Sequence, residues 1–188
     1  MRVIAELPYC IHGRPCCGDA DHDGRPEFYA VGAGGGHALE HIGGNQFDAT
    51  LVIPGWTLLS DIGDADRDGK TDLLIQQPAT RLRIFESPDS WSLPTNEVWV
   101  DLIEYMSCFA HAVFADLDQD SATEILVSDR PGSRVRIYEN VADDSYELKT
   151  SIWHVAKGFC ELNDLDRDGR RELAICHDAS GELSLIHI

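Results

Sequence analysis

The sequence predicts an all-β fold, a β-propeller of four-stranded antiparallel blades, and three observations predict it. An acidic nonapeptide recurs four times along 188 residues. Each copy is followed by a short apolar run of strand length, and the copies start 45, 52 and 48 residues apart. A four-stranded unit fits such a period, and four-stranded units repeated radially make a propeller.

The nonapeptides are Asp19 to Glu27, Asp64 to Asp72, Asp116 to Glu124 and Asp164 to Glu172. Each carries acids at positions 1, 3, 5 and 9 and Gly or Ser at position 6, which places 16 of the 33 acids in four short stretches. Carboxylates so crowded repel one another unless a cation neutralises them. A hard dication taking six to eight oxygens does so, and Ca²⁺ tolerates the irregular geometry of a short loop. Position 6 must turn sharply, which Gly does at least cost. The carbonyl of position 7 (Arg25, Lys70, Ala122 and Arg170) can add one more oxygen. A solvated acidic turn explains one such stretch but not four in register.

An EF-hand is excluded. It needs a Glu at position 12, where this chain has Ala30, Ile75, Val127 and Ile175. The runs after the loops, Glu27–Val31, Asp72–Ile75, Glu124–Val127 and Glu172–Ile175, are bounded by polar or turn residues and read as buried strands. Turns follow at residues 33–36, 76–80, 130–133 and 178–181. Second strands come next at His37–Ile42, Arg81–Phe85, Arg134–Tyr138 and Glu182–Ile186. Leu82 and Ile84 alternate with Arg81 and Arg83, and Val135 and Ile137 with Arg134 and Arg136, the period of a half-buried strand. Further strands are expected at Phe47–Ile53, Glu97–Ile103 and Tyr146–Val155. The strand before each loop is expected at His12–Cys17, Trp56–Ile62, Phe109–Ala115 and Lys157–Leu162. The units thus span about 10–53, 54–103, 104–155 and 156–188 of a single region, 1–188, the last unit incomplete. The WD40 pattern has a similar period but requires a Trp-Asp pair, which is absent.

These units resemble the FG-GAP (VCBS-type) repeats of integrin α-chain propellers and of many bacterial surface proteins, whose signature is Asp-x-Asp-x-Asp-Gly-x-x-Asp before an apolar strand. The resemblance spans about residues 12–186. It implies up to four Ca²⁺ ions, held by Asp19, Asp21, Asp23 and Glu27; by Asp64, Asp66, Asp68 and Asp72; by Asp116, Asp118, Asp120 and Glu124; and by Asp164, Asp166, Asp168 and Glu172. Two departures matter. Ser121 stands where the pattern has Gly, which makes the third loop the weakest site expected. The Phe-Gly and Gly-Ala-Pro elements that name the integrin repeats are absent, so integrin ligand recognition does not carry over.

Family propellers have about seven blades, and this chain supplies four units. Arg2–Leu7 reads as a closing strand for the fourth unit or as the end of a preceding blade. The last residues, Leu183–Ile188, match the translation of a common sequencing adaptor, which favours an arc of a larger ring with strand edges open to edge-to-edge self-association.

The formal net charge of -18 argues against nucleic acid or an anionic membrane as partner, and no apolar run is long enough for membrane insertion. Six cysteines suit an oxidising compartment, although no pairing can be read and buried free thiols are the plainer account. No nucleophile elbow, phosphate loop or dinucleotide fingerprint is present. The expectation is a non-enzymatic module for binding, adhesion or scaffolding on a secreted or cell-surface protein, with a protein or glycan ligand. Trp56, Tyr105 and Met106 are the candidate ligand contacts on the face opposite the loops, with packing between units as the plainer reading. The alternative is a propeller domain of a carbohydrate-active enzyme such as a polysaccharide lyase, for which no base or cleft is identifiable.

Overall fold

The computed structural model describes residues 15–32, 34–77, 79–106, 112–129, 134–153, 160–169, 171–176 and 183–187; within these, side chains 79, 80, 104–106, 129, 160–162, 176 and 183–187 are left undescribed. The described residues form strands, turns and bends and no helix, so none offers a helix long and apolar enough to cross a membrane. The expected strands at Arg2–Leu7 and the turns at 130–133 and 178–181 lie outside the described residues.

Among the described residues, fifteen strands make four antiparallel sheets in strict chain order. The first holds β1 (Cys16–Gly18), β2 (Glu27–Gly32), β3 (Gly35–Gly43) and β4 (Gln46–Pro54). The second holds β5 (Leu58–Gly63), β6 (Asp72–Gln77), β7 (Ala79–Glu86) and β8 (Asn96–Met106). The third holds β9 (Ala112–Ala115), β10 (Glu124–Asp129), β11 (Arg134–Ala142) and β12 (Ser145–Trp153). The fourth has three described strands, β13 (Cys160–Asn163), β14 (Glu172–Cys176) and β15 (Leu183–His187). Every acidic nonapeptide therefore joins the first strand of a sheet to the second. The turn expected at 76–80 is shorter than the sequence suggests, because the ladder between β6 and β7 runs on to Gln77 and Arg81.

The sheets stack, and the apolar runs supply both faces of the stack. Leu73 and Ile75 of β6 face the first sheet, packing with Tyr29, Val31 and Ile53. Leu74, between them, faces the third sheet with Ile125, Val127 and Tyr138. In β10, Ile125 and Val127 face the second sheet and Leu126 the fourth, where it meets Leu173 and Ile175. Side chains alternate faces along a strand, so a continuous apolar run is what a strand covered on both faces requires. Leu73, Leu74, Ile75, Ile125, Leu126 and Val127 are all fully buried. The first strands of the first two sheets approach closely: a side chain at Gly18 of β1 would press on Ile62 of β5.

Trp56, a candidate ligand contact for which packing between units was the plainer reading, is 60% exposed. It follows Gly55, whose φ of +91° turns the chain out of β4 before Thr57 re-enters the core. Tyr105 and Met106 are outside the described side chains. Cys16 is buried and Cys17 exposed, and both are free thiols; the other four cysteines lie outside the described side chains.

Candidate metal centres

The four loops share one backbone design. Position 4 is left-handed in each, with φ of 53°, 67°, 61° and 65° at His22, Arg67, Gln119 and Arg167. Position 6 is left-handed too, with φ of 87°, 88° and 92° at Gly24, Gly69 and Gly169, and 80° at Ser121. Two such residues in six turn the chain sharply enough to bring positions 1, 3, 5 and 9 to one side.

Hydrogen bonds fix the acids in register. The position 9 carboxylate accepts from the position 2 amide in all four loops: Ala20 to Glu27 at 2.9 Å, Ala65 to Asp72 at 2.9 Å, Leu117 to Glu124 at 2.6 Å and Leu165 to Glu172 at 2.7 Å. Position 3 accepts from the amide of position 5 at 3.1–3.3 Å in every loop. Position 5 accepts from position 7 in three of them, where Arg25, Lys70 and Ala122 donate at 2.7–2.8 Å; Arg170 lies outside the described residues. Position 1 accepts from the Gly at position 6 at 3.1 Å in the first, second and fourth loops. In the third loop the Ser121 amide makes no such bond to Asp116.

The carboxylate oxygens left over are the ones that matter. Asp19 Oδ1 and Glu27 Oε1 in the first loop, Asp116 Oδ1 and Glu124 Oε1 in the third and Asp164 Oδ1 in the fourth are buried and accept no hydrogen bond. A buried carboxylate oxygen with no partner is costly, and a cation is the partner that satisfies several at once. The ligand oxygens of Asp19, Asp21, Asp23 and Glu27 lie within 4.8 Å of one another, as do those of Asp64, Asp66 and Asp72 and those of Asp116, Asp118 and Glu124. A cavity of about 40 Å³ adjoins the first loop, lined by Asp21, Glu27, Glu40 and Asp48, with room for an ion and a water but for no organic ligand. The donor set is all oxygen, the preference of hard cations. The acidic clusters can therefore hold a metal ion.

Burial already acts on the titration of these groups. It pushes Asp72 up to about 8, with the charges of Asp66, Glu86 and Asp144 adding to the effect. It pushes Glu124 up to about 7, helped by Asp118 and Glu139. Glu27 is raised for the same reason.

Sequence spacing missed a second tier of acids on the neighbouring strand. Glu86 on β7 pairs in register with Asp72, and Glu139 on β11 with Glu124; Glu40 on β3 sits beside Leu39, the partner of Phe28. The signal was an acid 13 to 15 residues after position 9. Each is met by a basic side chain. Arg25 bonds Glu40 at 2.9 Å, Lys70 bonds Glu86 at 2.8 Å and Asp68 at 2.5 Å, and Lys149 bonds Glu139 and, at 3.0 Å, Asp118. The Lys149 ammonium thus occupies a position 3 carboxylate of the third loop, beside a cavity of about 240 Å³.

The loops line one edge of the stack and touch in sequence. Thr71 Oγ1 donates to the Ala20 carbonyl, Arg67 pairs with Asp116 at 3.7 Å, and Gln119 Nε2 donates to the Gly169 carbonyl at 2.6 Å. No family model matches the chain, and no curated protein matches it.

Proposed function

We propose that the chain is a calcium-binding β-propeller module of a secreted or cell-surface protein, acting in binding, adhesion or scaffolding, with an FG-GAP-like loop in each blade. The observation that carries the calcium reading is the set of buried carboxylate oxygens without partners, which recurs at position 1 of the first, third and fourth loops and at position 9 of the first and third. Three four-stranded sheets and a fourth with three described strands, a shared core layer between each successive pair, and the first strands of the first three sheets as neighbours support blades around an axis. The metal's part is structural: acids and backbone amides of the loop hold the first two strands of each blade together. The ligand surface is sought away from the loops, where Trp56 offers an exposed indole to a sugar or protein. A panel of glycans and acidic polysaccharides, assayed for binding and for bond cleavage with Ca²⁺ and after chelation, tests this reading. Binding without cleavage, weakened by Trp56→Ala, is expected. Cleavage by the purified chain would make it an enzyme domain and overturn the proposal.

A further inference from the structure

The second loop differs from the others in what packs against it. The connection between β7 and β8 lies on the first loop and brings Ser90, whose carbonyl meets His22 Nδ1 at 2.7 Å, with Trp91 edge-on to the His22 ring. The turn between β11 and β12 lies on the second loop and brings Asp143 and Asp144. The matching turn of the first sheet is Gly44-Asn45, with no acid.

The Asp144 amide donates to Asp66 Oδ2 at 2.9 Å, which draws its carboxylate into the loop. Ligand oxygens of Asp72, Glu86 and Asp144 then lie within 4.8 Å of one another, and so do those of Asp66, Asp68, Glu86 and Asp143. With Asp64, the overlapping clusters hold seven carboxylates, two of which, Asp68 and Glu86, are paired with Lys70. The first loop has four carboxylates in its cluster, with Glu40 and Asp48 beside it.

An independent observation marks where the second ion sits. Glu86 is 5% exposed; Lys70 bonds its Oε2, while its Oε1 is buried and accepts no hydrogen bond. Asp144 Oδ1 is likewise buried and accepts none. Asp72, the third member, is 2% exposed. Two residues from different sheets, each with an orphaned carboxylate oxygen, thus share one cluster with Asp72, and an oxygen-only set of this kind suits Ca²⁺.

We infer that a second divalent cation binds beside the second loop, between Asp72 of β6, Glu86 of β7 and Asp144 of the β11–β12 turn, and clamps the third sheet onto the second. It rests on the calcium reading of the loops but adds a site that no single loop contains. Asp64 belongs to the loop's own ion and Asp144 to the inter-sheet ion, so the two can be removed separately. Asn is the apt replacement at 144, because φ there is +54° and Asn tolerates it.

The test counts ions bound by the chelator-stripped full chain dialysed against Ca²⁺ alone. Relative to the native chain, Asp144→Asn loses one ion, Asp64→Asn loses one, and the double variant loses two. If Asp144→Asn should not fold, Glu86→Gln takes its place with the same expectation. Unchanged uptake in Asp144→Asn overturns the inference. A double variant that loses only one ion also overturns it, because the two sets would then share a single cation. In both cases the loop reading stands, whereas no Ca²⁺ uptake by the native chain overturns both.

Discussion

At Ser121 a β-hydroxymethyl group is held at φ +80°, in the range occupied by Gly24, Gly69 and Gly169. That conformation costs a non-glycine residue about 1 kcal/mol or more. The same residue withholds its amide from Asp116, and Lys149 competes for Asp118. Ser121→Gly is therefore expected to tighten Ca²⁺ at the third loop by about fivefold, the equivalent of about 1 kcal/mol, in a calorimetric titration. The acids at position 9 make a prediction of opposite kind. Asp72, near 8, and Glu124, near 7, are raised above their unfolded values, so without metal the folded state holds more protons than the unfolded state from about pH 4 upward. Their contribution to stability is complete below that range and is lost as pH rises through 7 and 8. Metal-free protein should melt at higher temperature at pH 5 than at pH 8, and saturating Ca²⁺ should flatten or reverse that slope.

At the scale of strands and loops, the apolar runs were legible because period 2 places successive residues in different core layers, so both neighbours of Leu74 had to be apolar as well. Leu74→Ala empties a site between the second and third sheets and should cost about 2–5 kcal/mol in denaturant unfolding. The loops were legible because acids at 1, 3, 5 and 9 leave few other uses for them. What spacing did not give was the register across strands, which sets Glu86 opposite Asp72 and Glu139 opposite Glu124. Nor did it give the left-handed residue at position 4, where His, Arg and Gln carry no mark of a positive φ. Packing is the plainer reading of Trp56 because an aromatic between two strands is ordinarily core, whereas the turn at Gly55 puts it outside. The position 9 acid has two separable duties, accepting an amide and carrying charge. Glu27→Gln keeps an oxygen for the Ala20 amide and removes the charge. The metal-free variant should therefore melt above the metal-free native chain, while its gain on adding Ca²⁺ shrinks; scanning calorimetry with and without the ion reads both.

Across the whole molecule, the formal charge of -18 is unevenly placed, since the loops form one acidic edge linked by the Thr71–Ala20, Arg67–Asp116 and Gln119–Gly169 contacts. Four ions on that edge would bring the charge to about -10. The stack of sheets and its apolar layers follow from the strand runs, but the order in which loops touch depends on how far each sheet is rotated against the next, which no local pattern encodes. Each site with ligand at 100 times its dissociation constant adds about 2.7 kcal/mol, so two or three rival the whole stability of a typical domain. Thermal unfolding of the full chain at neutral pH, in millimolar Ca²⁺ and after chelation, distinguishes metal sites from solvated turns. The expected result is a melting temperature lower by many degrees without the ion, restored by Ca²⁺. A melting curve that chelation leaves unmoved would contradict it.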